Sequence, residues 1–525
     1  PVLPRGAGTS LAGQAVNRAI VLDFTRYMNR ILHIDAGRRT VDVEPGVVLA
    51  ELNRALLPYG LKFAPDPSSG NRSTVGGAIG NNASGAHSLV YGVTDAYVDS
   101  VDVVLADGTE VTFGEVPVGE LPGKEQLPGH EGRIYRTVRD VLEKHASAIK
   151  RAYPNLKRNV SGYNLSRLVQ NGSINLARLV TGSEGTLGVV VRARLRLVPV
   201  PKATSMVLLS YASLGDAMED TQAIVATGAS AVEVMDDIML ELAGKTREYA
   251  DLVAKLPEGT SSVLIVEYYA DDEEEARRKA AALMQRFVAG RGLGAGNAPG
   301  REFGAAVSDP GVERAGEDTA RNGAGRAIAA LCPANAEEKR RYWTMRTAGL
   351  PILLSRTSDE KHIPFIEDAA VPPENLPAYV RDMQALLAKH GTYASFYAHA
   401  GPGVLHVRPL INARLAKDIE RMYTIAEEAT RLVMRYGGVP SGEHGDGRTR
   451  TQWNRIVYGE EIWQAFLRIK EAFDPHWLLN PGPVVYRDDA PTDMRENLRF
   501  APVDAAALDA VALPFKPALR WDIDN

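Results

Sequence analysis

Cysteine is almost missing from this chain: Cys332 is the single thiol in 525 residues. No disulfide can form within it, and an iron–sulfur cluster with four thiolate ligands cannot be built from it alone. A lone thiol fits a reducing compartment, and a cytoplasmic location is expected. Long apolar runs are equally scarce. None approaches the roughly 20 residues a helix needs to cross a bilayer, and nothing near Pro1 has the form of a signal peptide. A transmembrane segment is therefore not expected, while peripheral attachment to a membrane stays open. Nor is there an excess of positive charge. Lys and Arg number 60 against 65 Asp and Glu, a net charge of −5, which gives no basic footprint for nucleic acid and no polybasic membrane patch. What remains, 45% hydrophobic and 24% charged, is an ordinary globular composition in a chain too long for one core.

Glycine is plentiful where the chemistry-bearing residues lie. Ser441-Gly442-Glu443-His444-Gly445-Asp446-Gly447 sets an adjacent carboxylate and imidazole among three glycines, so the backbone can turn sharply and present both side chains without bulky neighbours. His399 and His406 bracket a second glycine-rich turn, Ala400-Gly401-Pro402-Gly403. Two His and one Glu make a three-ligand set suited to a catalytic divalent metal, with positions left for water or substrate. His444 would then be free to act as a base. Spacing alone leaves a second interpretation equally open: two surface loops whose histidines hydrogen-bond their own turns.

At the other end of the chain, Arg5-Gly6-Ala7-Gly8-Thr9-Ser10 follows a short apolar strand. Its exposed N–H groups and hydroxyls can cradle a pyrophosphate, with Arg5 adding charge, although many glycine-rich turns are only tight turns. Residues 65–92 hold six glycines and very little bulk. Such a stretch suits close backbone approach to a large planar or phosphorylated ligand better than an ordinary core element; a long mobile loop is the alternative. Ser161-Gly162-Tyr163-Asn164 and residues 181–188, with Glu184 and Gly188, repeat the theme.

Hydrophobic periodicity predicts strands at 19–23, 31–35, 40–43, 97–105, 110–113 and 189–198, with helices at 47–59 and 132–151. These make a first α+β domain over residues 1–201. Strands at 206–211 and 262–269 and helices at 214–227 and 271–289 open a second domain over 202–438. It continues through a Gly- and Ala-rich, poorly periodic insertion at 290–335, a helix at 339–348, a helix at 376–390, strands at 393–399 and 404–408, and a helix at 415–436. The acidic run 271–275 reads as a helix cap and not as a metal site. Residues 439–485 carry a helix at 460–473 and a turn at 474–482, and 486–525 read as a tail or linker.

The Pro4-to-Ser10 turn, the segments Thr74-Val75-Gly76-Gly77 and Asn81-Asn82-Ala83-Ser84-Gly85, and Gly182-Ser183-Glu184-Gly185-Thr186-Leu187-Gly188 resemble the FAD domain of the vanillyl-alcohol-oxidase-like flavoproteins. Gly442-Glu443-His444-Gly445-Asp446-Gly447 and Leu479-Asn480-Pro481-Gly482 are similar to the D-2-hydroxyacid dehydrogenase branch, which includes D-2-hydroxyglutarate dehydrogenase, FAD-linked D-lactate dehydrogenases and the glycolate oxidase flavin subunit. The likeness runs to about residue 485. It implies an α+β architecture: a FAD-binding domain of that type, a cap domain with an antiparallel sheet, and a C-terminal helical segment returning to the FAD domain. FAD is implied with its pyrophosphate near Arg5, Gly6, Ala7, Gly8, Thr9 and Ser10. Its isoalloxazine is implied near Ser73, Thr74, Gly76, Gly77, Asn81, Ala83, Ser84 and Gly85, with Pro65, Glu184, Gly188 and Asn480 completing the pocket. The resemblance further implies a divalent metal, zinc first, on His399, His406 and Glu443. Arg346 and Lys361 match residues that hold substrate carboxylates, Arg408, Tyr163 and Asn164 are grouped with them, and His444 matches the proposed base. The implied reaction is oxidation of a D-2-hydroxy acid, D-2-hydroxyglutarate or D-lactate, to the 2-oxo acid by metal-assisted proton abstraction and hydride transfer to flavin N5.

Two positions depart from the hydroxyglutarate-type pattern: Leu350 replaces a threonine and Arg408 an asparagine. Leu405-His406-Val407-Arg408-Pro409 and Glu367-Asp368-Ala369-Ala370-Val371-Pro372-Pro373-Glu374 are more similar to the long bacterial members, which continue into a cysteine-rich iron–sulfur domain. A [4Fe-4S] cluster is thus expected only if such a domain follows. Residues are also expected to precede Pro1, which lies directly in a motif. The electron acceptor would be an iron–sulfur domain, a quinone or an electron-transfer protein, and a homo-oligomer is compatible with the sequence. The alternatives are a flavoprotein oxidase or synthase of another substrate, a flavin-free His-His-Glu metallohydrolase, and an electron-transfer subunit.

Overall fold

Alternation builds the first sheet. In Val189–Arg196, Ala193 and Leu195 are buried while Arg192, Arg194 and Arg196 face out, as a strand with one wet face requires. The computed structural model, which describes residues 1–288, 325–496 and 498, places this strand at the centre of a five-stranded antiparallel sheet. The order is Ile31–Asp35, Thr40–Val43, Val189–Arg196, Val98–Val104, Glu110–Phe113. On its wet face Arg192 and Arg194 both reach Asp42 of the neighbouring strand, at 2.7 and 2.8 Å. On its dry face lies an apolar core shared with Ile134, Tyr135, Val138 and Val141 of helix Gly129–Lys144. The helix predicted over 132–151 is in fact two, Gly129–Lys144 and Ala146–Ala152, broken at His145, whose backbone leaves the helical region.

The glycine-rich stretch that was not expected to be a core element contains a buried helix, Val75–Asn81. Thr74 caps it by accepting from the Gly77 N–H at 3.2 Å, and Val75, Ala78 and Ile79 point into the core. Glycine is needed at 76, because a Cβ there would stand 2.6 Å from Pro45 Cβ.

The second sheet has eight antiparallel strands among the described residues. Seven follow the order Ala329–Leu331, Ala203–Tyr211, Ser262–Ala270, Ala231–Met235, Ala394–His399, Val404–Ile411, Lys361–His362, and Ala369–Ala370 pairs with Val404–Ile411 at its other end. Both faces are covered. Val207, Leu209 and Tyr211 join a core with helices Leu214–Val225, Glu273–Phe287, Leu376–Lys389 and Ala416–Arg435. Met206 and Leu208, pointing the other way, pack on Asp237–Gly244, Ala336–Thr347 and Gly349–Leu354. The strand Ala231–Met235 and the helix after it were not predicted. All five residues of that strand are buried, so no alternation marks it. Of the expected insertion, 290–324 lie outside the described residues, and Ala329–Leu331 is an edge strand instead of irregular chain. The tail predicted from 486 is described only to 496 and at 498.

Helix Gly447–Phe473 joins the two halves. It kinks at Gly459 (φ 76°, ψ 165°). Before the kink Trp453 packs on the second sheet's core, and after it Ile462, Trp463, Phe466, Ile469 and Phe473 complete the first. A polar clamp joins them elsewhere. His87 bonds Asp66 through Nδ1 and Glu267, on the second sheet, through Nε2 at 2.6 Å, and it stacks on Tyr269. Burial pushes this imidazole down, but the two carboxylates outweigh it and hold it up at about 10.

A histidine raised in the folded state stabilises fully below its unfolded value near 6.5 and loses that contribution as pH rises through its folded value. Thermal stability should therefore fall between about pH 6.5 and pH 10. His87→Gln should cost about 1–3 kcal/mol at neutral pH and flatten that alkaline slope; a melting series from pH 6 to 10 on both proteins is the check.

Candidate active site

Beneath the N-terminal turn runs a cleft whose walls come from distant parts of the chain. Arg5, Gly6, Ala7, Gly8, Thr9 and Ser10 line one stretch, and Ser73, Thr74, Gly76, Gly77, Asn81, Ala83 and Ser84 the next, with Glu184 and Gly188 opposite. The same cleft ends against Leu350, His399, Glu443 and His444. Its walls hold polar groups that lack partners. Arg5 Nε, Gln14 Oε1 and Ser84 Oγ are buried with no hydrogen-bond partner among the described residues, a costly state that a bound polar ligand relieves. The small residues are required: a Cβ on Gly6 would collide with Thr74 Oγ1. A dinucleotide cofactor fits this donor-rich, side-chain-poor surface.

The turn 441–447 closes the far end. Asp368 Oδ2 accepts from Ser441 Oγ, the Glu443 N–H and the His444 N–H at 2.6, 2.9 and 2.8 Å. On the cleft side Glu184 accepts from the Asp446 and Gly447 N–H groups at 2.6 and 2.9 Å. Gln14 holds the His444 carbonyl at 2.6 Å. Burial and the nearby Asp446 push the Glu184 carboxyl up to about 8.

This turn brings Glu443 Oε1 to 3.4 Å from His399 Nε2, 3.2 Å from His406 Nε2 and 3.1 Å from His444 Nε2. Ligands about 2.0–2.1 Å from a tetrahedral zinc lie about 3.3 Å from one another, so the first two spacings suit one. The geometry supports the same conclusion. His399 Nδ1 sits 2.8 Å from both oxygens of Glu233, which draws a ring proton to that nitrogen, and in the neutral ring the Nε2 lone pair then faces a carboxylate. A cation between them resolves that repulsion. Glu233 stands beside His399 because the two residues are paired in adjacent strands. Arg158, fully buried, donates to Glu443 Oε2 at 2.8 Å, leaving Oε1 as the free ligand atom. Burial pushes Glu443 up, yet His399, Arg158 and His444 outweigh it and hold it well below the usual range. Burial pushes the His406 imidazole down to about 4, and a neutral imidazole is what a metal needs.

Residues 200–484 match the family described as FAD linked oxidases, C-terminal domain, and residues 1–114 match the FAD binding domain. The chain belongs to the FAD-linked oxidase family. It is 34% identical over 510 residues to D-2-hydroxyglutarate dehydrogenase of Pseudomonas putida, covering 96% of this chain and 47% of that protein. It is 28% identical to glycolate oxidase subunit GlcD of Bacillus subtilis, covering 93% and 84%. The chain thus spans about half the length of the D-2-hydroxyglutarate dehydrogenases it matches. Among solved structures, 4-ethylphenol oxidase from Gulosibacter chungangensis superposes with a TM-score of 0.56 at 17% identity, covering 93% of this chain and 85% of that one. The expected two-part flavoprotein fold is therefore the one observed. A flavin-free hydrolase is set aside, since the first 114 residues match a FAD-binding domain.

Not every residue anticipated in this FAD-linked oxidase meets the cleft. Tyr163 does not: its ring is in the first core and its hydroxyl lies 2.8 Å from Thr186 Oγ1. Asn164 instead donates to Asp95 at 2.8 Å. Both follow Gly162, which turns them inward. Lys361 donates to the Arg356 carbonyl. Arg408 is ion-paired with Glu367, and Arg346 with Glu233 at 2.7 Å, with the Tyr397 ring between the two guanidiniums. Pro65 and Gly85 stand behind the cleft wall, and Asn480 braces it by donating to the Gln14 and Glu184 carbonyls at 3.1 and 2.8 Å. Arg158, Glu233, Glu367 and Asp368 were not anticipated as site residues; each is a charge whose partner is far away in sequence.

If Glu233 orients His399 toward a cation, Glu233→Gln should weaken zinc binding by about 10–100-fold. Competition with a chromophoric chelator measures this. Unchanged affinity would remove Glu233 from the metal's support.

Proposed function

We infer that the chain is the flavin-bearing part of a dehydrogenase that oxidises a D-2-hydroxy acid, D-2-hydroxyglutarate or D-lactate, to the 2-oxo acid. The observation that carries this reading is the single cleft that begins at the Arg5-to-Ser10 turn and ends on Leu350, His399, Glu443 and His444. FAD and a redox-inert cation beside one imidazole suit removal of two electrons and two protons from a carbinol.

When bound, FAD supplies the two-electron acceptor, and a divalent cation on His399, His406 and Glu443 supplies positive charge that favours the alkoxide form of the substrate. His444 Nε2 takes the hydroxyl proton. In this structure burial pushes His444 down but Glu367, Asp368 and Glu443 hold it up at about 10, and positive charge at Glu443 shifts it back toward the range of a working base. Arg346 is the proposed carboxylate anchor. It is almost fully buried and its Nε has no partner among the described residues, so it keeps a donor to offer. Lys361 can join it only by leaving the Arg356 carbonyl. Electrons then leave for a separate acceptor, an iron–sulfur domain, a quinone or an electron-transfer protein.

Anaerobic titration with D-2-hydroxyglutarate, D-lactate and glycolate tests the reading. One D-acid should bleach the flavin, chelation should abolish bleaching, and zinc should restore it. His444→Ala should retain FAD while reduction slows about 10²–10⁴-fold. Flavin that binds and never bleaches would overturn the assignment.

A further inference from the structure

Glu367 is buried completely at the centre of three cationic or proton-bearing groups. Its Oε1 lies 3.0 Å from His444 Nδ1, its Oε2 lies 3.9 Å from His406 Nδ1, and Arg408 pairs with the same Oε2. Arg408 and Glu367 are 1% and 0% exposed, so neither charge is offset by water, and each depends on the other. Asp368 Oδ1 also stands 3.7 Å from His444 Nδ1, but its carboxylate is already occupied by Arg450 and by the turn's N–H groups.

We propose that Glu367 is the positioning residue for His444, and that Arg408 serves to hold Glu367 in place and does not bind the substrate. The proposal rests on the dehydrogenase reading for its kinetic consequence, though not for its geometry. A carboxylate at Nδ1 draws the ring proton to that nitrogen and leaves Nε2, on the cleft side beside Glu443, with a free lone pair. When Nε2 takes the hydroxyl proton, the charge formed on the ring lies against Glu367, which stabilises it without accepting the proton; the same division of labour operates in hydrolase triads. The contact is not yet aligned as a full hydrogen bond, since neither His444 Nδ1 nor either Glu367 oxygen has one here, and such bonds commonly tighten only when substrate is seated. The arginine that replaces the expected asparagine at 408 therefore adds no free charge to the cleft. Its Nη2 is paired with Glu367, while its Nε and Nη1 have no partner among the described residues.

Glu367→Gln, Glu367→Asp and Arg408→Met test this in the FAD- and zinc-loaded protein. In Glu367→Gln the rate constant of flavin reduction, measured at full zinc occupancy, should fall at least about 10²-fold with substrate affinity unchanged, and Glu367→Asp should recover part of the loss. Arg408→Met should slow D-lactate and D-2-hydroxyglutarate alike. A loss confined to the dicarboxylate would assign Arg408 to the substrate and overturn its pairing role. An independent readout is the downfield proton resonance of His444 Nδ1–H in ¹⁵N-histidine-labelled protein, assigned by its disappearance in His444→Ala. It should move upfield in Glu367→Gln. An unmoved resonance together with wild-type reduction would overturn the proposal. If no hydroxy acid bleaches the wild type, the function assigned above fails, and the resonance alone still decides whether Glu367 holds His444.

Discussion

Asp368 is wholly buried, adopts a φ of 58°, and gathers the turn 441–447 on to itself. One oxygen of its carboxylate takes the Ser441 hydroxyl and two backbone N–H groups, its carbonyl takes the Gly442 N–H at 2.6 Å, and Arg450 balances its charge. A non-glycine residue at positive φ is costly, of the order of 1–3 kcal/mol, and is kept only where the surroundings enforce it. Here they do. The adjacent Ala369–Ala370 strand is paired with Val404-Leu405 on one side and bridged to Val439 on the other, so Asp368 is delivered where the turn must pass. Without that carboxylate, Glu443 and His444 would sit on a three-glycine loop with little to choose between its conformations.

The charges around this turn form a closed set. Arg158 faces Glu443, Arg346 faces Glu233, Arg408 faces Glu367 and Arg450 faces Asp368. Each pair is desolvated, so removing one member costs about 3–5 kcal/mol by stranding the other. Such pairs contribute little net stability compared with well-packed apolar residues. What they contribute is fixed orientation: each of the four carboxylates stands within 3.7 Å of at least one of the three histidines. A site that must place an imidazole and a carboxylate to within a fraction of an ångström is served by that rigidity.

The sequence makes Glu443, His444, His399 and His406 legible as a group and hides the residues that support them, for a physical reason. Glu443-His444 and His399…His406 lie in glycine-rich turns, and glycine is a local signal that can be read without knowing the fold. Glu233 carries no such signal. It occupies an all-buried strand that lacks alternation, and its tie to His399 exists only through the register of two strands distant in the chain. Arg158 and Glu367 are equally silent. The helix Val75–Asn81 shows the reverse failure: its glycines suggested backbone open to a ligand and no ordinary core element, while Val75, Ala78 and Ile79 at helical spacing already carried the core signal. Tyr163 was grouped with the substrate residues, and the glycine before it serves to turn the ring into the core. Glycine reports that backbone must bend or approach closely. It does not report what lies on the other side.

The same turn also explains why the cleft and the cluster of His399, His406 and Glu443 belong to one unit although they come from opposite ends of the chain. Glu184, a cleft residue held at a φ of 55°, grips the Asp446 and Gly447 N–H groups, while Asp368, from the second sheet, grips Glu443 and His444. Gln14 and Asn81, both on the cleft wall, donate to the His444 carbonyl at 2.6 and 3.3 Å. The turn is therefore a joint fixed from both sides, and Asp446 continues directly into the helix Gly447–Phe473 that packs into both cores. The groups that fix His444 therefore come from both halves, and its distance from the cleft wall is set by backbone hydrogen bonds to buried carboxylates and not by flexible side chains reaching across a gap.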